Sequence, residues 1–134
     1  MARFPSAGHL LSWAGLCPRN DESAGKRRST RLRKGAPWLK TVLVQAAWAY
    51  RHAPRVGAAL ARRQRGQPAG VITHAWKAQH RLHKLYQHLA YRKRPQVAVV
   101  AVARELIGFL WAAMRNCPAV STATTAPTFT QEAA

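Results

Sequence analysis

The sequence predicts an all-α fold: a small domain of four to five helices, a long basic loop between the first two, and a disordered C-terminal tail. Three observations carry that expectation. Apolar residues recur at spacings of three and four through 37–50 and 71–94, the repeat of a helix with one buried face. Proline and glycine cut the chain into segments of helix length. A chain of 134 residues, 48% of them hydrophobic, supplies one core and one domain. The domain is placed at 1–115 and the tail at 116–134.

The first helix is expected over Pro5–Ala14, with proline at an early helical position, Leu10, Leu11 and Ala14 on the apolar side, and Gly15 as its stop. From Leu16 to Gly35 the pattern changes to Pro18, Asn20, Asp21, Gly25 and Gly35 among seven Lys and Arg, the composition of a long cationic loop with room for a short hairpin. Pro37 opens the second helix, in which Leu39, Val42, Leu43, Ala46, Ala47 and Tyr50 keep helical spacing, and Pro54 closes it through its effect on the preceding residue. Val56–Arg65 fits a third, short, basic helix before the break at 66–70. A fourth, about Val71–Arg94, sets Ile72, Trp76, Leu82, Leu85, Tyr86 and Leu89 against Lys77, Arg81, Lys84, His88 and Arg92. The fifth, Gln96–Arg115, is apolar on nearly every face and should run through the core. Its opening run Val97–Val102 also suits a buried strand, but length and the later Leu106, Phe109, Leu110 and Ala113 favour helix.

Charge narrows the function classes. Twenty-two Lys and Arg against four Asp and Glu give a formal charge of +18, which calls for a polyanionic partner. The four acids are Asp21, Glu22, Glu105 and Glu132, too few and too scattered for a two-metal centre. No metal or other cofactor is therefore expected in this chain. Cys17 and Cys117, without CxxC spacing, read as a reduced pair. The charge-free stretches Thr41–Tyr50, Gln96–Ala103 and Leu106–Met114 are each shorter than a membrane span, and the opening Met1-Ala2-Arg3-Phe4-Pro5 lacks a signal peptide's apolar core. No membrane partner is expected.

The basic loop is the main chemical signal. Arg19, Lys26, Arg27, Arg28, Arg31, Arg33 and Lys34 crowd into sixteen positions and repel one another unless phosphates intervene; the bland alternative is a solvated loop. Lys77, Arg81 and Lys84 form a second stripe suited to tracking a nucleic-acid backbone, or equally an ordinary solvated helix face. The five tryptophans, 13, 38, 48, 76 and 111, could stack on bases, but their spacing with Leu and Ala favours core packing. His80 and His83 lack a third ligand for a metal, and Gly25-Lys26 lacks the remainder of a phosphate-binding loop. Ser23, beside Asp21 and Glu22 and close to Arg27 and Arg28, combines a nucleophile, a proton acceptor and cations for charge on a phosphate, although a plain loop serine has the same neighbours.

The string Arg3-Phe4-Pro5-Ser6-Ala7, Leu10, Trp13-Ala14-Gly15-Leu16-Cys17-Pro18, Glu22-Ser23-Ala24-Gly25, Arg33-Lys34-Gly35 and Trp38-Leu39 resembles the C-terminal domain of IS110/IS116/IS902-family transposases. Ala75-Trp76-Lys77-Ala78-Gln79 and Val100–Phe109 are similar to one branch of that family, so the likeness covers about Arg3 to Arg115. It implies a DNA recombinase that moves an insertion sequence, in a bacterial cytoplasm and associated with the nucleoid. The serine at the position of Ser23 would be the catalytic nucleophile. A RuvC-like domain with its Mg2+ would be supplied from elsewhere, and DNA and a guide RNA would be the nucleic-acid partners. Ala24 separates the serine from the glycine, which directly follows it in many members.

On this reading the chain is a transposase fragment truncated at its N-terminus, inactive alone in strand exchange. A RuvC-like domain in trans and a second copy of the chain are its candidate protein partners. The competing readings are a non-catalytic nucleic-acid-binding module and a decayed transposase remnant.

Overall fold

A computed structural model of the chain describes residues 3–18, 21–23, 25–29, 31–32 and 34–116, with only the backbone of 21–23 and 26–29. The tail expected from 116 lies outside the described residues from 117 onward.

The elements run α1 (Ala7–Ala14), β1 (Asp21–Ser23), β2 (Lys26–Ser29), α2 (Pro37–Trp48), a 3-10 turn (Ala49–Arg51), α3 (Ala58–Gln64), α4 (Ala69–Ala90) and α5 (Pro95–Asn116). The small all-α domain is therefore present, and its basic connection carries a two-stranded antiparallel hairpin. Helix boundaries moved by a few residues for local reasons. Ser6 caps α1, its Oγ accepting from the His9 amide, which leaves Pro5 one residue before the cap rather than inside the helix. Asn116, assigned to the tail, still belongs to α5.

Helix α5 is the spine. Ala98 and Val99, Val102 and Ala103, and Leu106 and Ile107 are buried in three successive pairs at helical spacing, and α1, α2 and α4 all pack against them. Leu10, Ala14 and Leu16 contribute from the α1 end, Leu43 and Ala47 from α2, and Ala78, Leu82 and Tyr86 from α4. Full burial of a side chain such as Leu82 or Val102 stabilises the fold by about 1.5–3 kcal/mol. Helix α5 also has the length and composition of a membrane-crossing segment. The charge-free stretches understated this, because Arg104 and Glu105 interrupt the helix without ending it. Packing by three helices makes it the core element of the bundle.

The tryptophans depart from the core-packing expectation. None is fully buried: Trp48 and Trp111 lie against the core, whereas Trp38 is 75% exposed and Trp13 and Trp76 face solvent in large part. The reason is helical phase. Leu39, Leu43 and Ala47 form the inner stripe of α2, and Trp38 sits about 100° around the helix from it. On α4 the inner stripe is Ala78, Leu82 and Tyr86, and Trp76 lies about 120° around the helix from its middle, meeting His80 edge to face at 4.6 Å.

Several polar contacts join the elements. The Trp111 indole donates to the Phe4 carbonyl at 3.0 Å, tying the start of the chain to α5. His74 Nε2 lies 3.0 Å from the Phe109 carbonyl oxygen and His83 Nδ1 lies 2.9 Å from that of Tyr50. Burial holds the Tyr50 phenol above its usual pKa.

Candidate nucleic-acid interface

The basic hairpin is held by glycine chemistry at its root. At the end of α1 the Gly15 amide donates to Ser12 and the Leu16 amide to Leu11, a Schellman arrangement that needs a left-handed residue, and Gly15 has φ 72°. Leu16 then turns fully into the core. The returning chain crosses this turn at Gly35. A Cβ there would stand 2.6 Å from the Ala14 carbonyl carbon and closer still to Gly15, so only glycine permits the crossing. The Ala36 amide donates to the Trp13 carbonyl at 3.1 Å, and Pro18 and Leu32 form an antiparallel bridge further out. The Ala14-Gly15-Leu16 and Lys34-Gly35 motifs are thus the two halves of one clasp.

Beyond the clasp, Asp21 pairs with Ser29, Glu22 with Arg27 and Ser23 with Lys26. The register shifts between Asp21 and Glu22, leaving Arg28 as the extra, bulged residue of β2. Two residues connect the strands, and Gly25 takes the positive φ (71°) that so tight a connection needs. Ser23 is thereby the last strand residue before the tip, directly across from a lysine. The turn leads into a strand, not a helix, so Gly25-Lys26 has no phosphate-loop geometry.

The hairpin brings Ser23, Lys26, Arg27 and Arg28 into one small ribbon. Arg31 and Lys34 are exposed on its returning limb, while Arg19 and Arg33 lie outside the described residues. Among the described residues no helix packs extensively on the ribbon, so it stands apart from the bundle. Lys77, Arg81 and Lys84 are exposed along α4 as a separate stripe. Arg81 is not free within it: the guanidinium is hydrogen-bonded to Glu105 of α5, and that bond holds its pKa above the usual value.

Among the described residues no three His, Cys, Asp or Glu converge. Glu105 is engaged by Arg81, His83 by Tyr50 and His80 by Trp76. Cys17 is half-buried and free, and Cys117 lies outside the described residues. Two concavities of about 490 and 510 Å³ open between α4 and α5 around His74 and Lys77.

Cations left out of the sequence-derived set are also displayed. Arg51, Arg55, Arg62, Arg63 and Arg65 are exposed around α3, and Arg92, Lys93 and Arg94 surround the turn after α4 beside Tyr91, which is 91% exposed. The signal that could have found the first group is a run of arginines with no acid between them.

Comparison with known proteins agrees with the clasp motifs. Residues 1–62, which hold α1, the hairpin and α2, match the sequence model of the Transposase IS116/IS110/IS902 family. The chain is 40% identical over 117 residues to "Putative transposase y4qE" of Sinorhizobium fredii (strain NBRC 101917 / NGR234). That alignment covers 85% of this chain and 30% of the relative, so the chain spans about a third of the length of the curated relative it matches. No solved structure matches the chain.

Proposed function

Since the chain belongs to the IS116/IS110/IS902 transposase family, we propose that it is the segment of such a transposase that grips DNA and presents Ser23 to a phosphodiester. One observation supports this most: the family-matched residues build a clasped hairpin that places Ser23 one step from the tip, opposite Lys26, with Arg27 and the bulged Arg28 following. In the reaction so proposed, the Ser23 hydroxyl gives its proton to a base and its oxygen bonds to phosphorus. The displaced sugar oxygen leaves and is protonated, so the DNA strand is held as a serine phosphodiester. Asp21 or Glu22 accepts the proton, and Arg27 and Arg28 offset charge on the non-bridging oxygens.

The chain has only four acids, scattered along the sequence; in the reaction so proposed, the metal step belongs to a RuvC-like domain in trans and the chain alone is inactive in strand exchange. DNA is the primary partner. Guide RNA and a second copy of the chain join it in the assembled recombinase, in the bacterial cytoplasm. The alternative is a non-catalytic nucleic-acid-binding module, which keeps the cationic hairpin and needs no serine chemistry.

Covalent trapping separates the two. The chain is mixed with the acidic domain of an intact relative and substrate DNA, and denaturing gels are read for a protein–DNA adduct. The proposal expects an adduct that disappears in Ser23→Ala. No adduct, under conditions where the intact relative forms one, leaves the binding module.

A further inference from the structure

Helices α4 and α5 leave one side of their contact open. The two concavities on that side share His74 and Lys77, so together they form one continuous trough. Arg81 and Glu105, joined by their ion pair, stand at one end of it, and Gly70 and Ala113 at the other. Residues 70 to 81 of α4 span about 16 Å, or three helical turns. The surface between is mostly small or apolar, with Val71, Gly108, Phe109 and Ala112 along it. Two of its members are glycines that the bundle itself does not require. A Cβ at Gly70 or at Gly108 would meet nothing within 4 Å, and glycine inside a helix weakens it relative to alanine. Such positions do give room for close approach from outside. Lys77 is exposed at the middle of the trough and has no ion-pair partner among the described residues.

We propose that the trough is the docking site of an amphipathic helix with an apolar face and an acidic edge, supplied by a part of the transposase outside this chain. Length supports the occupant: apolar anchors at i, i+4 and i+7 of a docked helix span about 10 Å, within three turns of trough. Charge supports its acidity, since a carboxylate beside the apolar face meets Lys77. The chain has only four acids against 22 Lys and Arg, so it offers no acidic helix of its own, and a second copy at +18 would be repelled. Nucleic acid fits poorly as well, because the small apolar surface gives phosphates few donors and Glu105 stands at its end. The chain spans about a third of its curated relative, which leaves ample sequence for such a helix. The inference rests on the reading that this chain is one segment of a longer transposase, and it assigns Lys77 to a protein carboxylate.

The test titrates the full 134-residue chain into a labelled synthetic helix of about four turns, leucine on one face and glutamate along its edges. Anisotropy is read at about 0.15 M salt, where attraction beyond ~8 Å is screened. A scrambled peptide of the same composition, and one with lysine replacing glutamate, should both bind at least about tenfold more weakly. Gly108→Leu fills the trough without changing charge and should weaken binding about tenfold, with a thermal midpoint no lower than wild type. Lys77→Glu should weaken it by about as much, whereas Arg92→Glu, the same charge change beyond the trough, should have little effect. Equal binding of the scrambled peptide would overturn the inference, as would full affinity in Gly108→Leu or equal losses from Lys77→Glu and Arg92→Glu. A chain that forms the Ser23 adduct but ignores the amphipathic peptide would overturn the trough and leave the proposed function standing.

Discussion

The bundle and its two excursions are held together by different physics. Helices α1, α2, α4 and α5 are joined by apolar burial, and none of the buried residues among those described is polar or charged. The α3 segment between α2 and α4 buries no helix side chain and exposes Arg55, Arg62, Arg63 and Arg65, and the hairpin connection between α1 and α2 is as cationic in sequence. What positions the hairpin is backbone: a Schellman turn, a glycine crossing, one amide bond to Trp13 and a strand bridge. Cations set in the core would carry a large desolvation cost. The α3 arginines instead stay in water, so in the proposed reading stability and recognition can be altered separately.

That separation can be attacked from the core outward. Leu82→Ala deletes a fully buried side chain at the contact of α4 with α5 and should lower unfolding free energy by about 2–5 kcal/mol, read from urea midpoints. A loss below 1 kcal/mol would mean the core is not where the stability lies. Gly35→Ala forces a Cβ into the backbone of Gly15 and should cost about 1–3 kcal/mol. It should also speed hydrogen exchange at Ala36, whose amide bonds to Trp13, more than at Val102 in α5. Equal acceleration at both amides would show that clasp and bundle open as one unit. Arg27→Glu with Arg28→Glu should leave stability within about 0.5 kcal/mol and lower the salt slope of DNA binding by at least about 1.8. A destabilised fold with unchanged binding would reverse the assignment of roles.

The helices were legible because their signals are local. Pro37 at the start of α2, Leu39, Leu43 and Ala47 along it, and the break around Pro54 need no tertiary information. The helical choice for Val97–Val102 held because the paired apolar positions continue to Ile107, beyond the length of an ordinary strand. Core packing holds for Trp48 and Trp111 but not for Trp13, Trp38 and Trp76, because spacing alone does not carry helical phase, and Trp38 and Trp76 lie off the buried stripes of their helices. At the candidate site, the crowding of Ser23 with cations was visible in the sequence. The pairing of Ser23 with Lys26, the bulge at Arg28 and the contact of Gly15 with Gly35 are properties of register and crossing, which no single residue encodes. The basic character of 56–65 is visible in the sequence, whereas the absence of a buried side chain on α3 appears only in three dimensions.

Backbone hydrogen exchange of the whole chain, with and without duplex DNA at low salt, tests most directly whether the clasped hairpin is where nucleic acid meets this protein. Slowed exchange within 21–29, with the amides of 98–107 in the core unchanged, is the outcome predicted. Protection confined to the outer faces of α4 and α5, with the hairpin exchanging as fast as before, would contradict it.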